Sequence, residues 1–361
     1  MKSILCFTSS LSGGGAQHQM SILSNLLSER GYDVTVVTYN DYPDRYKVND
    51  GVRRLRIPAK GNMIKKLFII ASYLYYEKCD CIISYRSPVN FILLLALILK
   101  PNKKVIVGER NLTTKPSLWE KINYKFLYYT AKSIVANSYS QERYLKSLNY
   151  KWKKNVTTIT NYTDLDKYIP SPLPTDNIIR LGVFSRFSPQ KNCLRFAEAL
   201  KLLKAREHNK FQVDWYGDKD KDETEYNRIS EFINKNSLED VLKLCPPTDD
   251  VQEMIKDYHV LCLPSLYEGF SNSISEGICA GRPMLVSDVS DNGVMVEDGV
   301  NGYLFNPHDV ENMADAIEKM LKLSPEEREE MGRRSRKKAE ELFDKEKFIG
   351  KYIDIIEKIT K

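Results

Sequence analysis

The sequence predicts an α/β protein with two Rossmann-like domains, each a doubly wound parallel sheet, and three observations carry this prediction. At 361 residues the chain is longer than one hydrophobic core usually organises. Short runs rich in valine and isoleucine alternate throughout with longer helical patterns, which is typical of repeated βαβ units. Pro170, Pro172 and Pro174 interrupt the alternation among polar residues, so that stretch is neither a continuous helix nor an interior strand.

The pattern before the prolines predicts a first domain over residues 1–165. Its strands are expected at Ile4–Thr8, Asp33–Thr38, Arg54–Ile57, Cys81–Ser84, Val105–Val107, Ser133–Ala136 and Val156–Thr160. The apolar run 89–99 is shorter than the roughly 20 residues that a membrane-spanning helix needs, so we expect a buried helix there. Polar residues 8–10 cut the first apolar run short, which favours a strand over a signal peptide.

After a predicted linker over residues 166–178, the pattern restarts in a second domain over residues 179–344. Its strands are expected at Ile179–Phe184, Phe211–Tyr216, Val241–Leu244, Val260–Leu263, Pro283–Ser287 and Tyr303–Phe305. A final helix over residues 345–361 carries Phe348 and Tyr352 at helical spacing, and we expect it to pack back on the first domain.

Composition and charge limit the classes of protein, metal site and partner that the sequence can represent. The chain is 42% hydrophobic and 28% charged, which excludes a disordered chain. Its seven cysteines include no Cys-x-x-Cys pair and favour a reducing, cytoplasmic setting, while four dispersed histidines predict no zinc or iron site.

The charge is unevenly distributed along the chain: residues 1–170 carry a net charge of +14 and the remainder −8. The first half therefore suits an anionic partner: a nucleic acid, a phosphorylated acceptor or an acidic membrane surface.

The loops after the predicted strands deserve attention because ligands of open parallel sheets bind at the carboxyl ends of strands. The first such loop contains Gly13, Gly14 and Gly15 before a helix that runs to about Arg30. Glycines there let backbone N–H groups approach a phosphate or a sugar, although a tight turn without ligand explains them equally well. His18 at the last position departs from the dinucleotide fingerprint Gly-x-Gly-x-x-Gly.

The loop after the strand predicted at 179–184 carries Arg186 and Lys191. Arginine offers a planar fork of donors and lysine a point charge, so together they can hold a diphosphate and neutralise the charge that builds on it as it leaves. A solvated basic loop is the alternative.

The loop after the strand predicted at 260–263 runs into a helix that Ser271 or Asn272 can cap, leaving N–H groups aimed at an anion. Glu268 precedes this helix and Glu276 lies one turn beyond the cap. The two carboxylates can therefore sit at opposite ends of one ligand, where each would bind vicinal hydroxyls.

The combination of these motifs resembles the family-four retaining glycosyltransferases of the GT-B fold over nearly the whole chain. The resemblance is carried by Gly182, the Ser-Arg at 185–186, Lys191, the Glu268-x7-Glu276 spacing within Leu-Pro-Ser-Leu-Tyr-Glu-Gly-Phe-Ser-Asn, the Gly-Arg-Pro at 281–283, and the turns at 159–166 and 297–304. It implies a glycosyltransferase that takes a sugar from a nucleotide-diphosphate donor.

The resemblance also implies residue roles. Arg186 and Lys191 would bind the donor diphosphate and Glu276 the ribose hydroxyls. Glu268 would bind the donor sugar together with its neighbours in the same loop, which are Gly269, Phe270, Ser271 and Asn272. Gly14 and Gly15 would face the acceptor.

Three departures from the family pattern lie at Gln17, where many relatives carry Glu, at residues 290–293, and at residues 109–111, where some relatives place His. We favour Arg110 as an electrostatic partner of the sugar or of the leaving phosphate, with a structural surface arginine as the alternative.

For this family, retention without an enzyme nucleophile implies attack on the face from which the diphosphate leaves, so the protein supplies positioning and charge stabilisation. We expect no cofactor and no required metal. Asp164 with Asp166, and Asp218 with Asp220 and Asp222, are interpreted as solvated turns rather than metal pairs.

Two basic aromatic stretches bear on the acceptor and on localisation. One places Trp119, Ile122, Phe126 and Tyr129 on a helical stripe beside lysines, and the other runs over residues 65–73. Such helices can lie in a lipid interface, and ordinary core packing is the alternative. With the +14 charge they predict peripheral binding to the anionic inner face of a membrane and a glycan or polyprenyl-diphosphate-linked acceptor.

A hexose or N-acetylhexosamine from a UDP-sugar is the favoured donor, for bacterial surface-polysaccharide synthesis. A GT-B epimerase or hydrolase and a non-catalytic nucleotide-sugar binder remain as alternatives. No nucleic acid is expected, because the aromatic residues follow helical periodicity and match no nucleic-acid module.

Overall fold

Two separate parallel sheets organise the chain. The computed structural model describes residues 1–57, 61–98, 103–110, 112, 116–206, 210–219 and 223–361. These residues form two units: a first unit of residues 1–162 with 345–361, and a second unit of residues 163–344.

The first unit contains a parallel sheet of seven strands among its described residues, in the order β3-β2-β1-β4-β5-β6-β7. The strands are β1 (Ser3–Thr8), β2 (Asp33–Thr38), β3 (Val52–Arg56), β4 (Cys81–Tyr85), β5 (Val105–Glu109), β6 (Ser133–Ala136) and β7 (Val156–Thr158). The helices are α1 (Gly15–Glu29), α2 (Met63–Tyr76), α3 (Ser87–Ala96), α4 (Leu118–Lys125), α5 (Tyr139–Ser147) and α13 (Lys345–Thr360).

The second unit contains a parallel sheet of six strands among its described residues, in the order β10-β9-β8-β11-β12-β13. The strands are β8 (Ile179–Phe184), β9 (Phe211–Tyr216), β10 (Leu242–Cys245), β11 (Val260–Leu263), β12 (Met284–Ser287) and β13 (Gly302–Phe305). The helices are α6 (Cys193–Ala205), α7 (Thr224–Lys235), α8 (Val251–Met254), α9 (Asn272–Cys279), α10 (Asn292–Met295), α11 (Val310–Lys322) and α12 (Pro325–Leu342).

The predicted fold class is confirmed. Every strand expected from the sequence is present, and no end moves by more than two residues. Central strands such as β4, β5 and β6 are buried at every position, which is why their sequences read as continuous apolar runs rather than as alternating ones. The buried helix expected over 89–99 is α3, and Leu99 lies outside the described residues.

The final helix, α13, belongs to the first unit. Tyr352 is fully buried there, and Phe348 stacks on Tyr162 with their ring centroids 5.3 Å apart. The segment for which the sequence suggested a linker packs on the second unit, where the buried Arg282 guanidinium donates to the Ser171 carbonyl at 2.9 Å.

No helix within the described residues combines the length and the apolar character needed to cross a bilayer.

Candidate functional site

The candidate site in the second unit lies where the order of the strands in its sheet reverses direction, between β8 and β11. From β8 the chain continues to β9 on one side, and β11 pairs with β8 on the other, so the loops after β8 and β11 meet at the same edge. These loops are joined directly: the Leu266 N–H donates to the Gln190 carbonyl at 2.8 Å, and the Gln190 side chain donates to the Tyr267 carbonyl at 2.8 Å.

An ion pair lies at the centre of this junction. Lys191 Nζ is 2.5 Å from a Glu268 carboxylate oxygen, and the two side chains are only 13% and 9% exposed. The Glu268 N–H donates to Ser290 Oγ at 3.2 Å, which ties the loop to a third segment. The structure thus brings together two residues that lie 77 positions apart in the sequence and that both belong to the predicted donor site.

Arg186 lies beside this pair in sequence but is exposed, and its side chain has no hydrogen-bond or ion-pair partner among the described residues. Its backbone is fixed on both sides. The Ser185 N–H donates to the Tyr216 carbonyl at 3.0 Å, and the N–H of the fully buried Phe187 donates to the Asp218 carbonyl at 2.9 Å. A loop whose backbone is hydrogen-bonded on both sides therefore presents an exposed guanidinium at the edge of the sheet.

The amino end of α9 points into the same junction. Ser271 is its N-cap, with Oγ accepting from the Ile274 N–H at 3.4 Å. Ser273 Oγ donates to the carbonyl of Phe184, the last residue of β8, at 2.8 Å. The first turn of α9 contains no acidic residue, so the partial positive charge of the helix end is not offset locally. An anion is the ligand that this arrangement suits.

Glu276 lies one turn into α9 and is half-buried. Burial raises the pKa of its carboxyl to about 7, while a hydrogen bond with Tyr168 and the charge of Lys167 act in the opposite direction. The carboxyl is therefore close to half protonated at neutral pH. A carboxyl with a shifted pKa at the edge of a sheet is typical of a binding or catalytic site.

Three serine side chains at this edge were assigned no role from the sequence. Ser185 Oγ and Ser188 Oγ after β8, and Ser265 Oγ after β11, are buried without a hydrogen-bond partner among the described residues. Buried polar atoms are normally paired, so unpaired ones in two adjoining loops mark a place where ligand groups can bind. The available signal was the position of each serine, within a few residues of the end of a buried strand.

The remaining predicted donor residues lie in the same β11–α9 loop. Gly269 and Phe270 are buried, Phe270 with 3% exposure, and Asn272 is half-buried at the first position of α9. The buried side chain of Phe270 thus anchors the backbone between Glu268 and α9.

The glycine loop of the first unit follows β1. This strand pairs with β2 on one side and with β4 on the other, so the loop lies where the strand order of the first sheet reverses direction. Gly14 has φ +96°, a backbone conformation that residues with a side chain rarely adopt, so this position favours glycine. Gly14 and Gly15 are exposed at the start of α1, whose first turn contains no acidic residue. Their predicted acceptor role stays a prediction.

Arg110 occupies an unexpected environment. It is only 6% exposed, so the alternative of a surface arginine is wrong. Its guanidinium lies 3.5 Å from the centroid of the Tyr85 ring and donates to Asn161 Oδ1 at 3.1 Å and to the Tyr352 hydroxyl at 2.7 Å. Its proposed contact with the sugar or phosphate stays a prediction.

The described residues contain no cluster of three or more His, Cys, Asp or Glu side chains arranged to hold a metal ion. Asp164 accepts from the Asp166 N–H at 3.0 Å in an exposed turn, whereas Asp220 and Asp222 lie outside the described residues.

The two basic aromatic stretches expose some of their rings and pack others, since Ile69 and Tyr73 of the stretch over residues 65–73 lie partly buried against the core. Phe68 on α2 is 71% exposed, and Trp119, Phe126 and Tyr129 are 46%, 59% and 50% exposed. Core packing therefore does not explain Phe68, Phe126 and Tyr129. Of the predicted stripe, Ile122 packs partly against the core, and the Trp119 ring lies on the buried Phe91 with their centroids 4.8 Å apart.

Two family models match consecutive parts of the chain. The model described as Glycosyltransferase Family 4 matches residues 13–167, and the model described as Glycosyl transferases group 1 matches residues 166–338.

Known proteins with similar sequences and structures agree with these matches. The chain is 25% identical over 321 residues to UDP-Gal:alpha-D-GlcNAc-diphosphoundecaprenol alpha-1,3-galactosyltransferase of Escherichia coli, covering 81% of each protein. It is 24% identical to the amylovoran biosynthesis glycosyltransferase AmsD of Erwinia amylovora, covering 79% of this chain and 82% of AmsD. Its fold matches Anabaena HepE, solved with UDP and glucose, with a TM-score of 0.84 at 17% identity, covering 99% of this chain and all of HepE.

Proposed function

We propose, on the premise that this chain belongs to the family-four glycosyltransferases of the GT-B fold, that it transfers a hexose or an N-acetylhexosamine from a UDP-sugar to a lipid-linked glycan with retention of configuration. The premise is confirmed by the two family matches, which together span residues 13–338. The acceptor assignment draws on the names of the relatives, one of which acts on a diphosphoundecaprenol-linked sugar and another in amylovoran biosynthesis.

The observation that carries the proposal is the Lys191–Glu268 pair at the switch point of the second sheet, beside the amino end of α9. Lys191 keeps donor hydrogens beyond the one directed at Glu268 and can therefore also bind a diphosphate. The exposed Arg186 adds a bidentate donor, and the helix end adds partial positive charge. In this proposal these three groups stabilise the diphosphate as it leaves.

The two carboxylates have separate roles in the proposal. Glu276 binds the ribose hydroxyls, and Glu268, held by Lys191, binds the transferred sugar with the backbone of residues 269–271. The leaving phosphate takes the acceptor proton, so neither a nucleophile nor a metal ion is required. Catalysis then consists of positioning and of stabilising charge that develops in the transition state.

Membrane association is part of the proposal. The exposed rings on α2 and around α4 lie among lysines in the half of the chain that carries +14. Aromatic side chains suit the headgroup region of a bilayer, and lysines are attracted to anionic lipids. The first unit would then bind the inner face of the cell membrane, where a lipid-linked acceptor is available.

A thermal-shift panel of UDP-, GDP- and ADP-sugars in the presence of EDTA tests the donor assignment. We expect one nucleotide class, UDP first, to raise the melting temperature of the wild type and of Glu341→Ala, an exposed-site control, but to raise that of Glu276→Ala much less. Absence of a shift with every donor would contradict the proposal.

The alternatives give different results in a product assay. Turnover of a bound nucleotide sugar without any acceptor would favour an epimerase or hydrolase. Binding without turnover in the presence of diphosphate-linked glycan acceptors would favour a non-catalytic binding protein.

A further inference from the structure

The segment before β8 contacts Glu276, the carboxylate proposed to bind the ribose. Residues 163–173 belong to the second unit, and Tyr168 within them is only 5% exposed. The Tyr168 hydroxyl is hydrogen-bonded to the Glu276 carboxyl on α9. This carboxyl therefore has a protein partner that comes from outside the loops after β8 and β11.

One arginine holds both sides of this contact. Arg336 on α12 has its Nη1 2.9 Å from the Tyr168 carbonyl oxygen and 2.8 Å from that of Cys279, the last residue of α9. The same nitrogen lies 3.1 Å from the Leu165 carbonyl oxygen. Arg336 therefore ties the backbone of Tyr168 to the helix that carries Glu276.

Two further contacts anchor the rest of the segment. The Leu173 N–H donates to the Glu329 carboxylate at 2.9 Å, and the Arg282 guanidinium donates to the Ser171 carbonyl at 2.9 Å. With Arg336, the segment is attached to its own unit at three places. A side chain that is held in position before a ligand binds loses little conformational freedom on binding.

The contact favours the ionised form of Glu276. Burial raises the pKa of this carboxyl to about 7, and the Tyr168 hydrogen bond and the charge of Lys167 oppose that rise. An ionised carboxylate only accepts hydrogen bonds and has about four lone-pair sites, so Tyr168 leaves room for two ribose hydroxyls. A protonated carboxyl would accept those hydroxyls less well.

We propose that Tyr168 is a positioning residue for the nucleotide: it donates to the Glu276 carboxylate, orients it and keeps it ionised for the ribose hydroxyls, while Arg336 holds Tyr168 in place. This inference rests on the proposed function, because it needs the ribose contact of Glu276. It makes the segment before β8 a part of the nucleotide site.

Calorimetric titration of UDP into the full chain between pH 5 and pH 9 tests the proposal. We expect the wild-type affinity to rise with pH as Glu276 ionises. Tyr168→Phe loses the hydrogen bond to the charged form, so the midpoint of this rise should move up by about one pH unit. The variant should then bind UDP about tenfold more weakly than the wild type at pH 6 and nearly as tightly at pH 9. Tyr303→Phe is the matched control, because it makes the same change at a partly buried tyrosine on β13 and should follow the wild-type profile.

The other charged or titratable groups near this end of α9 are common to the wild type and Tyr168→Phe. Lys167 and Asp164 belong to the segment before β8, Arg336 to α12 and Cys279 to α9 itself. Protonation of UDP is also the same in both titrations. The difference between the two pH profiles therefore isolates the Tyr168 hydroxyl.

Two more variants test the path of the effect. Tyr168→Phe in a Glu276→Gln background should change the UDP affinity by less than about threefold at every pH, because position 276 no longer ionises. Arg336→Lys keeps the charge but loses the planar fork of donors, so its midpoint should move in the same direction as that of Tyr168→Phe.

The outcomes separate this inference from the donor assignment. A wild-type pH profile in Tyr168→Phe would overturn the inference and leave the donor assignment intact. An equal loss of affinity at every pH would also overturn it, because a merely structural role weakens binding without moving the midpoint. If the wild type bound no UDP at any pH, the donor assignment would fail and the inference with it.

Discussion

Replacing Glu276 by glutamine should stabilise the second unit at neutral and alkaline pH. Burial raises the pKa of this carboxyl to about 7 from the ordinary 4.5. An acid whose pKa is higher in the folded state binds more protons there than in the unfolded chain, so its contribution to the free energy of unfolding decreases between pH 4.5 and about 7. The difference corresponds to about 3 kcal/mol. Glutamine has nearly the same shape and still accepts from Tyr168, but it does not ionise.

Thermal unfolding of wild type and Glu276→Gln at pH 4, 5, 6, 7 and 8 measures this difference. Since all other titrating groups are common to both proteins, the gap between their melting temperatures isolates residue 276. At about 2–4 °C per kcal/mol for a unit of this size, we expect glutamine to gain about 6–12 °C on the wild type between pH 4 and pH 8. Parallel melting curves across this range would refute the reasoning that burial disfavours the ionised carboxylate. The same variant should bind UDP more weakly, because the ribose contact needs the carboxylate.

Three further predictions concern a close backbone contact, a helix cap and the exposed aromatic rings of the first unit. Gly217→Ala should destabilise the second unit by about 1–3 kcal/mol in urea unfolding, since the new Cβ would lie 2.0 Å from the Ser185 carbonyl oxygen; a wild-type midpoint would contradict this. Ser271→Ala removes the N-cap of α9 and should cost about 1 kcal/mol in the same assay and weaken UDP binding. Phe68→Ser with Phe126→Ser should reduce sedimentation with anionic vesicles while leaving the melting temperature unchanged, because both rings are exposed; unaltered sedimentation would count against membrane docking.

The strands could be predicted because buried parallel strands leave a local signal. Runs such as 81–85 and 133–136 are apolar and β-branched, and they are buried at every position. The cap of α9 was predictable within one residue for a similar reason, since a serine beside a helical pattern has few other local roles. Neither inference needs knowledge of distant contacts.

The helix around Trp119 shows where periodicity is insufficient. The sequence suggests one stripe that continues through Tyr129, but α4 ends at Lys125 and a short 3-10 turn follows over residues 127–129. Both faces of the segment are apolar. The structure buries Tyr124 and Tyr128, and it exposes the three rings of the stripe that the pattern singled out, at Trp119, Phe126 and Tyr129.

The environment of Arg110 could not be predicted because its contacts come from distant parts of the chain. Tyr352 lies 242 residues away on α13, and Asn161 follows β7. A residue beside a predicted strand end can equally face solvent or the interior. The packing of α13 in the first unit, with Tyr352 in contact with both Arg110 and Tyr85, is what places this guanidinium in a buried environment.

Calorimetric titration of UDP into the wild type, Lys191→Ala and Glu341→Ala, with EDTA present, tests the central claim most directly. The claim is that the edge formed by the loops after β8 and β11 is a nucleotide-sugar site that needs no metal. It predicts one bound UDP for the wild type and for Glu341→Ala, and an affinity lower by about tenfold or more for Lys191→Ala, which loses a charged contact to the diphosphate. Equal affinity in all three proteins, or UDP binding that appears only when a divalent metal replaces EDTA, would contradict it.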